Sequence, residues 1–572
     1  MNRFIVTSVA IAILAVLPLT RPVAADKGGA GSARLQLVEA TVEQLQKALQ
    51  TGLVTSEQLV RMYLARIAAY EQAGPHINAF IHINANAIAE AQEADAQRRH
   101  GVARSPLQGI PVLLKDNVDT ADMPTTAGSV ALAGSRPPDD AFIARKLRDG
   151  GAIILGKATL TEFANFIAIG MPTGFSSLGR FGFNPYDPRE DPRPIFPDKP
   201  DGRPVLQTGG SSSGSGIGVN ANLVTVAIGT ETSGSILSPA NANGIAGIKP
   251  TVGLVSRDGI IPITADQDTA GPLTRTIADA ATLLGVVAGH DPSDAATAAC
   301  LTPGNCFSDY TQFLDKKALK GARLAVAAIN YPANRAELLE KAIAVMEAQG
   351  AIVTRLAATD IPAQLGTCVV HPYPEPVPPA LRCSSVLLYG FKRDLQAYLD
   401  ATPGATSHTL QQIFDFNNSQ PKEVALKYGQ AILEAALSVD TSPGSADTQR
   451  YLMDRAEDLV RARDGLNHVF FGPDGVKGTA DDVDAILSVG NNFAGAPAKA
   501  GFPTVTVPGG FILPIATDPP IAGPFPQTIS FTGTAFSEPR LIGLAYAFEQ
   551  ATQHRVPPAS TPPLPSDFVS RP

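Results

Sequence analysis

Short apolar runs rich in β-branched residues alternate with helix-like segments along this chain of 572 residues. The clearest unit is an apolar run at residues 324–329, a helical pattern over residues 335–349 and a second run at residues 351–354. Gly350 between the last two is typical of a helix stop. Parallel strands need a crossover of this kind, usually a helix. The sequence therefore predicts an α/β protein with a largely parallel central sheet and helices on both faces.

The composition indicates a globular, net-acidic protein. Of its residues, 44% are hydrophobic and 17% are charged, which suffices for a substantial core. No long Ser/Gly linker or charge run interrupts residues 26–555, so we predict one large domain there. The net charge of −8 argues against a nucleic-acid partner.

The first 25 residues have the pattern of a secretory signal. Arg3 precedes an apolar stretch over residues 4–19, and the small residues Ala24 and Ala25 mark a cleavage site. We expect cleavage after Ala25 and export to the periplasm or beyond, with no stable membrane insertion afterwards. An uncleaved membrane anchor is the alternative, because the apolar stretch is close to the minimum spanning length.

Four cysteines in a chain expected to be exported predict disulfides. The simplest pairing joins Cys300 to Cys306 and Cys368 to Cys383, and the other two connectivities stay open. The spacings match no common zinc-ligand pattern.

Two further segments carry predictions of their own. The proline-rich tail, residues 556–572, is predicted to be unstructured. The loop from Asp474 to Asp482 is acidic and contains glycines, so calcium is one interpretation. It lacks the twelve-residue EF-hand spacing, and we interpret it as a solvated surface loop.

Two Ser/Gly-rich motifs lie close together, GGSSSGSG at residues 209–216 and GTETSGSI at residues 229–236. The first is not a flexible linker, because it continues directly into an apolar run at residues 217–228. Backbone of this kind approaches a ligand closely and donates N–H groups to an anion or oxyanion. A P-loop would need a lysine, and a dinucleotide fingerprint would need a different glycine spacing.

Nucleophilic serine chemistry remains, in two forms. Residues 210–214 match G-x-S-x-G, which would make Ser212 the nucleophile of a histidine-dependent esterase of the α/β-hydrolase type. No histidine downstream has a setting that marks it as catalytic; the candidates are His371, His408, His468 and His554. The second form is a serine–lysine mechanism.

Three ordered blocks resemble those of the amidase signature family: GIPVLLKDN at residues 109–117, the block at residues 209–216, and GTETSGSILSPA at residues 229–240. GIKPT at residues 247–251 and DTAGP at residues 268–272 continue the resemblance, which extends from about Leu35 to Arg555. It implies the amidase signature fold, with a large central, mostly parallel mixed sheet. The chain is most similar to the peptide amidase branch, because of Glu231, PTVGLVSRDG at residues 250–259 and GTAFSEP at residues 533–539.

The resemblance implies an amidase that needs no cofactor or metal. The resemblance further implies that it would hydrolyse a small-molecule amide or a C-terminal peptide amide through an acyl-enzyme. Ser235 would be the nucleophile, Ser211 a proton relay with a cis peptide bond, and Lys115 a base kept neutral by burial.

The same resemblance assigns oxyanion stabilisation or substrate binding to Thr232, Ser233 and Gly234. Ser233, Leu237 and Glu231 depart from the common family pattern, which leaves the shape of the acyl pocket open. An ordinary lysine at position 115, paired with Asp116, is the alternative at that residue. A non-catalytic protein that binds amides or peptides on the same scaffold is the alternative for the whole chain.

Overall fold

The computed structural model describes residues 34–194, 199–356, 385–472, 475–479 and 482–571. The predicted signal segment, the proposed Cys368–Cys383 bridge, and Asp474 and Asp481 of the acidic loop lie outside these residues. The predictions for these parts of the chain therefore stay predictions.

Strands and helices alternate through the described residues. The strands are β1 Arg34–Gln36, β2 Phe80–Ile83, β3 Pro111–Lys115, β4 Ile153–Ala158, β5 Phe175–Ser176, β6 Arg180–Phe181, β7 Val226–Glu231, β8 Ala246–Lys249, β9 Thr269–Thr274, β10 Arg323–Val326, β11 Ile352–Arg355, β12 Ala485–Val489, β13 Thr504–Ile512, β14 Phe525–Thr532 and β15 Phe568–Ser570. The helices are α1 Val42–Gln50, α2 Ser56–Tyr70, α3 Ala87–Arg99, α4 Phe142–Asp149, α5 Glu162–Asn165, α6 Ser213–Asn220, α7 Leu237–Asn243, α8 Ile277–Val287, α9 Ala333–Ala348, α10 Val386–Asp400, α11 Leu410–Ser419, α12 Lys422–Ala425, α13 Ala431–Leu437, α14 Ala446–Leu459, α15 Gly465–Phe470, α16 Gly495–Ala500 and α17 Glu538–Thr552.

A central sheet of 11 strands organises the fold, in the order β11-β10-β12-β14-β13-β8-β9-β7-β3-β4-β2. Parallel pairing occupies two blocks, β11-β10-β12 and β7-β3-β4. Antiparallel pairs join the two blocks and add β2 to the edge beside β4. The parallel pairs β10/β11 and β3/β4 are connected by α9 and α4, because parallel neighbours need a crossover. The predicted α/β class with a large mixed sheet is confirmed.

Capping side chains determine where the first helices begin. The Thr41 hydroxyl accepts from the Gln44 N–H, and the Gln44 side chain accepts from the Thr41 N–H. Thr55 and Gln58 repeat this capping box before α2. Apolar side chains of α1 and α2 then pack into the main hydrophobic core around the sheet.

A second apolar cluster packs beside the main core. It joins α10, α11 and α13 to the turn around Phe163, whose ring lies edge-on to Phe391 at 6.0 Å. Phe163 of this cluster is two residues from Thr161, whose N–H donates to the Ser211 carbonyl of the Ser/Gly motif.

The C-terminal tail is ordered, so the prediction that it is unstructured is wrong for residues 556–571. Its last strand, β15, pairs antiparallel with β1. The carboxylate of Asp567 forms a 2.6 Å ion pair with Arg66, and both side chains are fully buried. Proline-rich composition predicted disorder, but the carbonyl groups of Thr561 and Pro562 accept hydrogen bonds from the same guanidinium.

Two remaining predictions concern cysteines and the acidic loop. Cys300 and Cys306 form a disulfide, with their Cα atoms 5.0 Å apart, which confirms that pair. In the described part of the acidic loop, Asp482 accepts from the Gly478 N–H at 2.6 Å and from the Thr479 hydroxyl at 3.2 Å. Within the described ranges, no cluster of three potential metal-ligating side chains occurs and no helix is long and apolar enough to cross a membrane.

Candidate active site

Two neighbouring parallel strands bring the first site residues together. Lys115 ends β3, and Thr230 lies one residue before the end of β7, which pairs with β3 in parallel. Carboxyl ends of adjacent parallel strands meet at the same edge of a sheet, where α/β proteins commonly bind ligands. Lys115 and Thr230 are therefore side by side although 115 residues separate them.

The Ser/Gly motif forms a tight turn into α6. The peptide bond between Gly210 and Ser211 is cis, as the family resemblance implies. The carbonyl of Ser211 accepts from the Thr161 N–H at 3.0 Å. Gly209 has φ +67°, and a Cβ there would lie 2.5 Å from the carbonyl oxygen of Ser238, so only glycine fits this approach to α7.

Lys115 is fully buried and points at this turn. Its Nζ lies 2.7 Å from the Ser211 hydroxyl, 2.8 Å from the Thr230 hydroxyl and 3.3 Å from the Thr230 carbonyl. Burial lowers the pKa of Lys115 to about 7, although the carboxylates of Asp268 and Glu231 act in the opposite direction. At pH 7 the neutral and protonated forms of the amine are therefore populated to a similar extent.

Asp116 does not pair with Lys115. Its carboxylate lies 3.3 Å from the Nζ of Lys157 and accepts from the hydroxyl of Thr126. The alternative of an ordinary Lys115–Asp116 ion pair is therefore wrong, because successive residues of a strand point to opposite faces.

Ser235 lies between β7 and α7 and is 8% exposed. Its carbonyl accepts from the Ser212 N–H at 3.2 Å, which brings this loop against the Ser211–Ser212 turn. The carboxylate of Glu231 accepts from the N–H groups of Gly234 at 2.6 Å, Ile236 at 2.7 Å and Leu237 at 3.1 Å. One buried side chain therefore shapes the whole loop around Ser235.

This arrangement corrects the predicted set of oxyanion donors. The N–H of Gly234 is occupied by Glu231, so Gly234 is not a free donor. The N–H groups of Thr232, Ser233 and Ser235 have no hydrogen-bond partner among the described residues. The hydroxyl of Thr232 donates to Asp268 at 2.5 Å, and burial raises the pKa of Asp268 to about 6.

Ser212, the nucleophile of the esterase alternative, is fully buried. Its hydroxyl donates to the Thr230 carbonyl at 3.1 Å and accepts from the Thr230 N–H at 3.2 Å. No histidine of the described ranges hydrogen-bonds to it. The Ser212 hydroxyl thus links α6 to β7 and is not available to a substrate.

Sequence reasoning missed two side chains at the site. Thr230 binds the Lys115 amine, and Asn117 donates to the Thr230 hydroxyl at 3.1 Å and to the Ile261 carbonyl at 3.2 Å. Both residues lie inside the blocks that carry the family resemblance, so their position in the motifs was the available signal. Their hydrogen-bond partners come from distant segments of the chain and could not be inferred from the motifs.

Comparisons with known proteins identify the family of this chain. The sequence model of the Amidase family matches residues 58–371. The chain belongs to the amidase family. A probable amidase from Arabidopsis thaliana is 36% identical over 554 residues, which cover 95% of this chain and 96% of that protein.

Solved structures of amidases have the same fold. The native peptide amidase from Stenotrophomonas maltophilia matches with a TM-score of 0.76 and 38% identity, over 92% of this chain and 99% of that one. A peptide amidase in complex with the competitive inhibitor chymostatin matches with a TM-score of 0.74 and 38% identity, over 91% and 99% of the two chains. The chain is therefore an amidase, a hydrolase that acts on C–N amide bonds.

Proposed function

We propose that this amidase cleaves a neutral carboxamide, a small-molecule amide or a C-terminal peptide amide, with Ser235 as nucleophile, Ser211 as proton relay and Lys115 as base. One observation carries the proposal. A fully buried lysine amine lies 2.7 Å from the hydroxyl of a cis-linked serine, and no carboxylate of the described residues forms an ion pair with it. The likeness to peptide amidases supports the substrate class.

The bonds of Lys115 favour proton transfer from Ser211. A neutral amine has two N–H groups and one lone pair. Thr230 supplies two acceptors, its hydroxyl and its carbonyl, which take both N–H groups. The lone pair is then directed at the Ser211 hydroxyl, so that Ser211 can give up its proton while it accepts one from Ser235.

The reaction then follows in two halves. The Ser235 Oγ bonds to the amide carbon, and the Ser235 proton moves through Ser211 to Lys115. The C–N bond breaks as the nitrogen takes that proton back by the same path, which releases ammonia or an amine and leaves an acyl-enzyme. Water hydrolyses the ester in the second half, and the N–H groups of Thr232, Ser233 and Ser235 stabilise the oxyanion in both.

Four alanine variants test these roles. We expect Ser235→Ala and Lys115→Ala to lose at least about a thousandfold in kcat on amides, as removal of a nucleophile or base does. Ser211→Ala should also lose activity, and Ser212→Ala should retain it if it folds. Full amide hydrolysis by Ser235→Ala would overturn the proposal. Ester hydrolysis lost only in Ser212→Ala would support the esterase instead, and no turnover of any amide by the wild type would support a binding protein.

Export of the mature chain is a second part of the proposal. The signal pattern before Asp26 motivates it, and the Cys300–Cys306 disulfide supports it because disulfides persist in oxidising compartments. Determination of the amino-terminal residue of protein recovered outside the cytoplasm is the test, with Asp26 expected. An intact Met1 in that fraction would contradict cleavage.

A further inference from the structure

The loop after β12 borders the residue that precedes the nucleophile. A Cβ on Gly234 would lie 3.3 Å from the Nδ2 of Asn491 and 3.6 Å from the Cβ of Ala494. The side chain of Asn491 therefore lies in van der Waals range of the Ser235 loop. Asn491 follows β12, which lies in one half of the sheet, whereas Lys115 ends β3 in the other half.

The backbone of this loop is held firmly. The Gly490 N–H donates to the Thr528 carbonyl at 2.9 Å, and the Gly490 carbonyl accepts from the Ser530 hydroxyl at 2.6 Å. A Cβ on Gly490 would lie 2.7 Å from the side chain of Asn241, so α7 packs directly against it. The position of Asn491 relative to Ser235 is thus determined by β14 and α7.

Two adjacent asparagines behave differently in this loop. The Nδ2 of Asn492 donates back to the Val489 carbonyl at 2.7 Å, which closes the turn. The side chain of Asn491 is exposed and has no hydrogen-bond partner within the described part of the chain. Of these two asparagines, Asn491 is the one whose carboxamide is free to bind a molecule that approaches Ser235.

A free carboxamide matches a peptide group. Its oxygen accepts and its nitrogen donates, whereas a peptide group donates through N–H and accepts through C=O. Asn491 lies beside Gly234, the residue directly before Ser235, and consecutive Cα atoms are about 3.8 Å apart. The peptide group next to the scissile bond of a peptide amide lies one residue from the reacting carbon, a spacing of the same order.

On these grounds, and resting on the function proposed above, we propose that Asn491 binds the acyl-side backbone amide of a peptide-type substrate. It is a specificity-determining residue that favours peptide amides over simple carboxamides. It binds substrate and transition state equally, so its loss raises KM and leaves kcat nearly unchanged.

Two matched substrates test the proposal on the full-length enzyme. N-acetylphenylalaninamide carries an acyl-side peptide group, and 3-phenylpropanamide has the same phenyl group without it. We expect the wild type to prefer the first, and Asn491→Ala to raise KM for it by about tenfold, the loss of one or two neutral hydrogen bonds. Its kcat should stay within about twofold, and the kinetics on 3-phenylpropanamide should not change.

Asn492→Ala is the control, because its side chain binds only its own loop. It should leave the ratio of kcat/KM between the two substrates at the wild-type value. An unchanged ratio in Asn491→Ala would overturn the inference, as would the same shift in both variants. So would a wild type without preference for N-acetylphenylalaninamide, or one that hydrolyses other amides and neither of these. Amide hydrolysis that survives Ser235→Ala would instead overturn the proposed catalytic function.

Discussion

At the residue scale, the protonation state of Lys115 is expected to control activity. Because the proposed base is the neutral Lys115 amine and its pKa is about 7, kcat/KM should rise with pH through about 7 and level off above it. Below that pKa, kcat/KM should fall about tenfold for each unit by which the pH is lowered. A profile of kcat/KM from pH 5 to 9 measures this. A flat profile across pH 6 to 8 would contradict a lysine base.

The same pKa has a consequence for stability. Between pH 7 and about 10, Lys115 carries a proton in the unfolded chain but not in the folded one, so a rise in pH favours folding. Lys115→Met removes this contribution. The increase of the urea unfolding midpoint from pH 7 to pH 9.5 should therefore be smaller in the variant than in the wild type. An equal increase in both would show that the lysine is not neutral when buried.

Thr230 holds the Lys115 amine through its hydroxyl and its carbonyl, and we expect it to orient the proposed base. Thr230→Val keeps the shape of the side chain but removes the hydroxyl that accepts from Lys115 and Asn117. We expect kcat to fall by about 10- to 100-fold, since a misdirected lone pair weakens general-base catalysis. Thr230→Ser restores the hydroxyl and should return kcat to within a few-fold of the wild type. Failure of the serine variant to recover would indicate a packing role only.

At the scale of single elements, the loop between β7 and α7 depends on Glu231. In Glu231→Gln, one side-chain oxygen remains to accept from the N–H groups of Gly234, Ile236 and Leu237. The new amide NH₂ faces at least one of these donors and cannot accept from it. We expect kcat to fall by about 100-fold or more, because the free N–H groups around Ser235 lose their alignment. Steady-state kinetics on a primary amide measure the change.

Glu538→Gln is the control for this prediction. Glu538 is also a fully buried glutamate, and it accepts a hydrogen bond of 2.6 Å from the Thr251 N–H. Among the described residues it has no hydrogen bond to the Ser235 loop. Its replacement should lower the melting temperature with little change in kcat. An equal loss of kcat in both variants would mean that the effect of Glu231 is general destabilisation.

Elements with a local sequence signal were the predictable part of the fold. The apolar run at residues 324–329 is β10 at Arg323–Val326, and the helix predicted at residues 335–349 is α9 at Ala333–Ala348. Strand pairing has no such local signal. The antiparallel pairs of β13 with β8 and of β14 with β12 join segments that are distant in sequence. At the site, resemblance identified Lys115, Ser211 and Ser235, whereas the occupied N–H of Gly234 required the position of the Glu231 side chain.

At the scale of the whole molecule, the C-terminal tail contacts α2 and the segment that follows α6 through Arg66. Arg66 of α2 donates to the carbonyls of Ala221 and Asn222, directly after α6. The same guanidinium pairs with Asp567 of the tail. The end of α6, the helix that follows the Ser211 turn, is therefore bound by the Arg66 guanidinium, and Asp567 of the tail neutralises the charge of Arg66.

Removal of the Asp567 carboxylate, the ion-pair partner of Arg66, should destabilise the entire fold. Asp567→Ala leaves Arg66 buried without a counter-charge, and breaking a buried pair in this way costs about 3–5 kcal/mol. Glu340→Ala, which removes the exposed Arg355–Glu340 pair, should cost less than about 1 kcal/mol. Urea unfolding followed by circular dichroism measures both. Similar midpoints for the two variants would contradict a structural role for the tail, whereas a large loss in Asp567→Ala alone makes residues 556–571 part of the amidase domain.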